Sequence, residues 1–546
     1  MSAGEGGKRV VVWFRNDLRL TDNYIVAGAA DIVEKGLADE VLPVYCFDPR
    51  HFGTTDWNSL KTGDLRSKFL LDSVLDLKMR LRSVGSDLLV CMGQPEEVLP
   101  TLAAPGSTVL YQTEVNSEEA GVERRVAKSL KAKKVAVEPR WGSTLYHLDD
   151  LPLRKDLADL PDVFTPFKNI VEKKCTPRRT VASPKKGALP LAQVPGLDFT
   201  PTLQDLGLSP DRAAAIAKPH PNSVLEFKGG ETAALARLQY YLFDSDLLAT
   251  YFETRNGMLG GDYSTKLAPW LAHGTISPRT IVEEIRKYEK ARVENKSTYW
   301  VIFELIWRDY FKFFGLKHGD SIFHLEGTVG GRQSWRKDFD LEKRWKEGTT
   351  GVPLVDANMR ELLHTGFMSN RGRQNVASYL ALELGLDWRI GADHFESLLL
   401  DYDCCSNWGN WVAAAGMTGG RVNRFNILKQ SKDYDLQGDY VRAWIPELKD
   451  VPTSKIHTPW QMTPEEQEKS GCKIGETYPR PIPNQAQNGG GGGKGGYGKG
   501  GGGKGKGGYS SGGKGGGQGR LRGRSAGDFK SERKVKARLS NFDMYG

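Results

Sequence analysis

Short apolar, β-branched runs alternate with helical patterns over residues 9–140. Buried strands of a parallel sheet read as such runs, and apolar residues three or four positions apart are typical of an amphipathic helix. The alternation predicts a doubly wound parallel sheet, that is, an α/β domain. The predicted strands are 9–14, 40–47, 87–92, 107–112 and 134–140, and the clearest helical patterns are 65–85 and 117–133.

The first predicted strand is not followed by GxGxxG, the glycine-rich turn that opens a dinucleotide site. Residues 15–23 read RNDLRLTDN instead, a strongly charged turn. We therefore expect no nicotinamide or flavin dinucleotide in the usual crevice of this domain.

The pattern changes twice further along the chain. Many prolines and little periodicity over 141–230 predict a long connector on the surface, and helical patterns from Glu231 to about Pro446 predict a second, all-α domain. Residues 489–519 are about two-thirds glycine and cannot form a packed core. The predicted divisions are 8–141, 142–230, 231–472 and a disordered Gly/Lys-rich basic tail, 473–546.

The formal charge of +9 belongs to the tail. From Asn488 onward there are 13 Lys and Arg against 3 Asp and Glu, so the remainder of the chain is nearly neutral. Such a tail resembles glycine-rich segments that bind RNA and single strands, although a solubilising linker has the same composition.

Six cysteines without CxxC spacing favour a reducing compartment. The N-terminus has no apolar signal core, and no apolar run reaches the length of a membrane span. We expect a soluble intracellular protein, a monomer without metal, in cytoplasm or nucleus, and an atypical organellar signal is compatible with the sequence.

Four helical-domain segments hold candidate chemistry. Glu304 and Arg308 lie four apart in an apolar helix, as an internal ion pair or facing a polar ligand. Ser264 and Thr265 lie where a helix is predicted to begin, which makes them part of an anion site or an ordinary N-cap. Residues 370–375, NRGRQN, lie at another predicted helix start and add either basic ligand-binding side chains or a solvated basic turn. Residues 401–411, DYDCCSNWGNW, combine Asp, Asn and Trp, which favours a flat ligand rich in hydrogen-bonding edges.

These segments together resemble the photolyase/cryptochrome family, over residues 9–450 and in the family's order. DWRIGADHFESLLLDYD and NRGRQN are most similar to its cryptochrome-DASH branch. The segments are WFRNDLRLTDN, FTPFKN, STKLAPWLAHGTISPR, ELIWRDYFKFF, NRGRQN, DYDCCSNWGNW and RFNILKQSKDYD.

The resemblance implies FAD bound in the helical domain. Arg373 and Asp401 would pair beside the flavin ring, and Asn407 would face flavin N5 as a neutral amide that favours the reduced anionic flavin. Ala268 replaces the family's usual serine near the phosphates. The implied FAD residues are Tyr251, Ser264, Thr265, Lys266, Leu267, Ala268, Glu304, Arg308, Asn370, Arg373, Asp401, Asp403 and Asn407.

The resemblance also implies an electron path and a substrate pocket. Trp411, Trp388 and Trp335 match the family's tryptophan chain from flavin to surface, and Trp345 could be confused with the last of them. In the pocket Glu304 would bind the pyrimidine pair and Trp307 would stack on it. Asn370, Arg371 and Gln374 would lie nearby.

Ala413 stands where the duplex-repairing branch has a second aromatic wall, which favours single-stranded DNA as substrate. Glu114 matches the carboxylate that grips an antenna pterin, which implies 5,10-methenyltetrahydrofolate as a second cofactor. The implied activity is light-driven repair of cyclobutane pyrimidine dimers. The alternative is a blue-light receptor whose tail contacts DNA, RNA or partner proteins.

Overall fold

The computed structural model describes residues 8–330 and 334–482. Five parallel strands form one sheet in the order β3-β2-β1-β4-β5, which confirms the predicted doubly wound domain. Each predicted strand lies within two residues of an observed one. The strands are β1 Arg9–Phe14, β2 Glu40–Phe47, β3 Leu89–Met92, β4 Thr108–Gln112 and β5 Ala136–Arg140.

The sheet is covered on both faces, and its strands β1, β2 and β4 are largely apolar on both. Val10, Val12 and Phe14 belong to one core cluster, and Val11 and Trp13 to another, as the two-residue period of a strand requires. The helices of this domain are α1 Tyr24–Glu34, α2 Asp64–Ser83, α3 Pro95–Leu102 and α4 Ser117–Ala132.

The connector contains more structure than the sequence predicts. Helices α5 (Phe164–Lys174) and α6 (Pro210–Ala215) lie within it. Phe164, Phe167 and Val171 are buried in the core of the helical domain, so this part of the connector is not a surface segment.

The all-α fold of the second domain is confirmed, and a helix begins at Glu231. Its helices are α7 Glu231–Gln239, α8 Tyr251–Thr254, α9 Ala268–Ala272, α10 Pro278–Ala291, α11 Lys296–His318, α12 Phe339–Lys346, α13 Pro353–Thr365, α14 Asn370–Ser378, α15 Trp388–Leu398, α16 Cys404–Ala414, α17 Ile427–Tyr434, α18 Asp439–Trp444 and α19 Pro464–Ser470. Two π-helical turns, Tyr240–Asp244 and Tyr379–Glu383, interrupt patterns that read as continuous helices.

The packed chain extends past the predicted boundary at residue 472. Tyr478 and Ile482 are buried, and the Tyr478 hydroxyl donates a 2.6 Å hydrogen bond to Asp356. The glycine-rich part of the predicted tail lies outside the described residues. In the part of the chain that is described, no helix is long and apolar enough to cross a membrane.

The charged turn 15–23 lies between the sheet domain and the helical domain. Asp22 and Arg279 form a 2.9 Å ion pair there, with side chains 0% and 2% exposed. Asp22 also accepts hydrogen bonds from Val181 N (3.1 Å) and from the Ser277 hydroxyl. Gly274 has φ +63°, and a Cβ at this position would collide with the carbonyl oxygen of Asn16. The charges that replace a dinucleotide motif therefore join the two domains.

Candidate functional site

A central cavity of about 1230 Å³, including its open mouth, lies within the helical domain. Thirteen of the fourteen predicted cofactor residues line it, although they come from five separate segments. They are Tyr251, Ser264, Thr265, Lys266, Leu267, Ala268, Glu304, Arg308, Asn370, Arg373, Asp401, Asp403 and Asn407.

Helix α11 contributes two charged side chains to the cavity wall. Glu304 accepts a hydrogen bond from the Tyr251 hydroxyl. Arg308 donates to the carbonyl oxygens of Ser143 (2.5 Å) and Leu271 (3.2 Å), so its guanidinium also ties α11 to the connector. Both residues therefore line the cavity and are held by other segments of the protein.

An ion pair between Arg373 and Asp401 forms another part of the wall. Arg373 Nη2 lies 2.7 Å from Asp401 Oδ2, and Arg373 Nε donates to Met368 O at 3.0 Å. Asp401 Oδ1 is buried and has no hydrogen-bond partner among residues 8–330 and 334–482. The same holds for Asn370 Oδ1, Asn410 Oδ1 and the Tyr263 hydroxyl, all at the cavity.

Helix α16 presents its first turns to the cavity. Asp403 is its N-cap and accepts from Ser406 N at 2.8 Å. Burial alone would raise the pKa of Asp403, but Lys312 and Arg308 hold it well below its ordinary value. One turn further, Asn407 Nδ2 donates to Ala392 O at 2.9 Å, which fixes the orientation of the amide.

The segment 263–268 differs from the expected helix start. Helix α9 begins at Ala268 and is only five residues long, so Ser264 and Thr265 precede it and do not cap it. Lys266 has φ +60° and donates to Ser264 Oγ at 3.1 Å. Burial holds the pKa of Lys266 well below its ordinary value. The feature of this segment is therefore a buried amine beside the Ser264 hydroxyl, and not a helix terminus.

A second, interdomain cavity of about 1910 Å³ lies between the carboxyl ends of the strands and the helical domain. Glu114 lines it and not the central cavity, and Asp403 is the one other predicted cofactor residue that lines it. Its Oε2 lies 3.1 Å from Lys312 Nζ, and its Oε1 accepts from Asn16 Nδ2 at 3.3 Å. Asp403, Tyr402 and Ala272 line both cavities.

Comparison with known proteins shows which family the chain belongs to. The family model described as the FAD binding domain of DNA photolyase matches residues 300–489, and the model described as DNA photolyase matches residues 10–186. Cryptochrome DASH, chloroplastic/mitochondrial, of Ostreococcus tauri is 54% identical over 498 residues, which cover 87% of this chain and 90% of that protein.

The chain belongs to the photolyase/cryptochrome family, cryptochrome DASH type.

Two solved structures extend the comparison of this cryptochrome DASH. The Synechocystis sp. PCC6803 cryptochrome has a TM-score of 0.80 and 46% identity, and the match covers 87% of this chain and 96% of that one. A bacterial class III photolyase from Agrobacterium tumefaciens has a TM-score of 0.73 and 28% identity, covering 88% and 95%.

The central cavity suits FAD. Four of its buried polar atoms, on Tyr263, Asn370, Asp401 and Asn410, lack a partner in the described structure, and a ligand rich in donors and acceptors would satisfy them. Of its charged residues, Glu304, Arg308, Arg373, Asp401 and Asp403 lie within the range that the FAD-binding domain model matches, whereas Arg255 and Lys266 precede it. No group of His, Cys, Asp and Glu side chains in the described ranges could hold a metal ion.

The predicted substrate residues divide into two groups. Glu304 and Asn370 line the central cavity. Trp307, Arg371 and Gln374 are described but are not among the residues that line it. The Trp307 ring is stacked on Phe164, with centroids 3.6 Å apart and planes 10° apart. Arg371 Nη1 donates to Gln374 Oε1 at 2.6 Å, in a buried network. Contact of these three with substrate stays a prediction.

The three residues of the predicted tryptophan chain differ in burial. Trp411 and Trp388 are fully buried, and Trp335 is half-buried. Trp345 touches Trp411 edge-on, with ring centroids 6.1 Å apart. The role of these residues in electron transfer also stays a prediction.

Sequence reasoning missed several residues at the two cavities. Ser406 and Asn410 line the central cavity three and seven positions after Asp403, and helical spacing on α16 could have revealed them. Lys312 lies four positions after Arg308 on α11, so the Glu304–Arg308 face continues to it. Glu119 lines the interdomain cavity with an Oε2 that has no partner in the described part of the chain, and no sequence signal marks it.

Proposed function

We propose that this cryptochrome DASH repairs cyclobutane pyrimidine dimers under blue or UV-A light, preferentially in single-stranded DNA, and so acts as a deoxyribodipyrimidine photo-lyase. One observation carries the proposal. Glu304, an acid that can hydrogen-bond a pyrimidine, and Asn407, the neutral amide expected at flavin N5, line the same cavity.

Bound FAD in its reduced form would supply the electron that splits the dimer and would take it back, so that no net oxidation occurs. The chain's own residues bind and orient. Asn407 is oriented by its bond to Ala392 O, and the Arg373–Asp401 pair places a fixed charge arrangement at the wall. Tyr251 holds the carboxyl group of Glu304 at the cavity.

The preference for single strands rests on Ala413. This half-buried residue offers no aromatic face, and a base–aromatic stack is worth about 1–3 kcal/mol. Without that stack, less binding energy offsets the cost of unpairing and unstacking a dimer in an intact duplex. In a single strand the dimer is already unpaired, so this cost is smaller.

The decisive experiment illuminates the reduced, fully FAD-loaded protein with dimer-bearing oligonucleotides. We expect repair of the single strand and little repair of the duplex. Glu304→Gln should slow repair without emptying the FAD site, and Ala413→Trp should raise duplex repair. Absence of repair on both substrates would refute the lyase function.

We also propose 5,10-methenyltetrahydrofolate as an antenna in the interdomain cavity. The support is Glu114, whose carboxylate lines this cavity close to residues that also line the central one. Reconstitution followed by absorption spectroscopy tests it, and Glu114→Gln should lower folate occupancy while the FAD absorption persists.

A blue-light receptor is the second candidate. It is favoured by the burial of Trp411 and Trp388 and the partial exposure of Trp335, an arrangement that suits photoreduction of FAD. Trp411→Phe should then slow photoreduction sharply, and an unchanged rate would remove Trp411 from the path.

The tail is proposed to bind RNA or single-stranded DNA through its lysines. Truncation at Asn488 should lower affinity for an unmodified oligonucleotide and flatten its dependence on salt concentration. An unchanged affinity and salt slope would show that the tail does not bind nucleic acid.

A further inference from the structure

Three ionisable side chains, Glu114, Lys312 and Asp403, form a buried chain of ion pairs. Lys312 Nζ lies 3.1 Å from Glu114 Oε2 and 3.3 Å from Asp403 Oδ2. The Glu114, Lys312 and Asp403 side chains are 5%, 6% and 10% exposed. Charges this deeply buried persist only when they are paired, so each carboxylate depends on the lysine between them.

The chain of ion pairs forms part of the wall between the two cavities. Asp403 lines both, whereas Glu114 and Lys312 line the interdomain cavity. Glu114 comes from the loop after β4 in the sheet domain, and Asp403 begins α16 in the helical domain. Lys312 therefore reaches the central cavity through Asp403.

The charge on Lys312 also bears on the geometry of α16. Ionised Asp403 accepts from Ser406 N at 2.8 Å, and this cap fixes the start of the helix that carries Asn407. Burial would lower the pKa of Lys312, but Asp403 and Glu114 raise it above its ordinary value. The lysine therefore stays charged and can hold Asp403 ionised.

We propose that Lys312 is a positioning residue for FAD: it acts through Asp403, and its bond to Glu114 makes FAD affinity depend on a residue of the other domain. The inference rests on the proposed function only in that FAD occupies the central cavity. Removal of Lys312 should leave two buried carboxylates without a shared counterion, raise the pKa of Asp403 and loosen the cap of α16.

Other charged or titratable groups face these three and remain in every variant. Arg308 faces Asp403 and Lys312, and Cys405 faces Lys312. The acidic groups that face Glu114 are Asp17, Glu119 and Glu123. Because the pKa of Cys405 itself depends on the charge of Lys312, K312R, which keeps that charge, is the reference for the pH dependence of K312M.

The test measures FAD affinity of the apoprotein by quenching of flavin fluorescence, across pH. We expect K312M to weaken FAD binding by about tenfold or more, and increasingly so as the pH falls from about 8 to about 5. K312R should retain most of the affinity. The double variant E114Q/K312M should bind FAD more tightly than K312M, because one of the two uncompensated carboxylates has been removed.

Lys317→Met is the matched control, since Lys317 lies on the same helix and pairs with Asp162 at 2.7 Å, away from both cavities. It should bind FAD like the wild type. If K312M fails to fold and E114Q/K312M folds and binds, the rescue supports the proposal. Equal affinity of K312M and wild type, or equal loss in K312M and E114Q/K312M, would overturn it. Failure of the wild type to bind FAD would refute the proposed function instead.

Discussion

Two buried arginine–aspartate pairs in this protein differ in what they leave unpaired. At the domain junction, Asp22 uses both carboxylate oxygens on protein partners: Oδ1 on Val181 N, and Oδ2 on Ser277 and Arg279. At the central cavity, Asp401 uses Oδ2 on Arg373, while Oδ1 has no partner within the described ranges.

The difference separates a structural pair from a ligand-binding pair. A buried polar atom without a partner costs about 1–3 kcal/mol, so a protein tolerates it where a ligand repays the loss. The junction pair contributes to joining the domains whether or not a cofactor is present. The pair at the cavity leaves one acceptor, Asp401 Oδ1, available to a ligand.

Arg279→Met should give the largest loss of stability. The change leaves the carboxylate of Asp22 buried without its counterion and frees the carbonyl oxygens of Thr144 and Gly142, which Arg279 also binds. We expect the free energy of unfolding to fall by about 3–5 kcal/mol, equally with and without FAD. Urea denaturation of both forms measures it.

Lys287→Met is the control for Arg279→Met, on the same helix. Lys287 is 55% exposed and pairs with the partly exposed Glu283 (3.1 Å) and Glu284 (2.7 Å), so its loss should cost less than about 1 kcal/mol. If both variants lost a similar amount of unfolding free energy, burial of the junction pair would not add to its contribution to stability.

Arg373→Met should separate stability from binding. The unfolding free energy of the apoprotein should fall by about 1–3 kcal/mol, because Asp401 loses its counterion in a cavity that already tolerates an unpaired oxygen. FAD affinity should fall by about tenfold or more in fluorescence titration. Arg373→Met/Asp401→Asn should recover the stability and not the affinity. Recovery of both would make this pair structural, like the one at the junction.

Much of the fold follows from local pattern. Strand β1 reads as apolar at every position after Arg9 because both faces of a parallel sheet are covered, and its predicted bounds are right to the residue. Helix α1 was not predicted, because its cap, Asn23, lies within the charged turn. Helix α5 was not predicted either, since its segment lies among prolines and its apolar face packs against a distant domain.

The central cavity was predictable to the extent that its residues lie in contiguous motifs. Asp401, Asp403 and Asn407 come from one stretch, and helical spacing places them together. Lys312 was not predictable in its role, because its partner Glu114 is 198 residues away in the sequence. Whether Asp22 or Asp401 keeps a free oxygen depends on such distant contacts, so the sequence alone did not separate the two pairs.

Glu119 extends the comparison to the interdomain cavity, since its Oε2 also lacks a partner in the described structure. Burial raises the pKa of Glu119 to about 7. The folded protein therefore binds a proton that the unfolded chain has released, and this contribution to stability is present at low pH and is lost as the pH rises toward 7.

Glu119→Gln should remove that dependence. Between about pH 5 and about pH 7 the wild type should lose about 1–2 kcal/mol relative to the variant. Urea denaturation at several pH values measures the difference. Glu118→Gln, at the neighbouring exposed position, should follow the wild type. Parallel pH profiles for Glu119→Gln and wild type would show that Glu119 is already ionised.

Asn370→Ala should give the smallest change in unfolding free energy. It tests most directly whether a buried polar atom without a partner marks a ligand-facing residue. Asn370 Oδ1 faces the central cavity without a partner among the described residues, so its removal should alter the unfolding free energy of the apoprotein by less than about 0.5 kcal/mol. FAD affinity should nevertheless fall about fivefold, because one hydrogen bond to the ligand is lost.

Asn358 is the matched opposite: its amide donates to Leu354 O at 2.7 Å and accepts from Tyr440 at 3.0 Å. Asn358→Ala should therefore cost about 1–3 kcal/mol of stability and leave FAD affinity unchanged. If the two variants exchanged these outcomes, an unpaired polar atom would no longer distinguish ligand-facing residues in this protein.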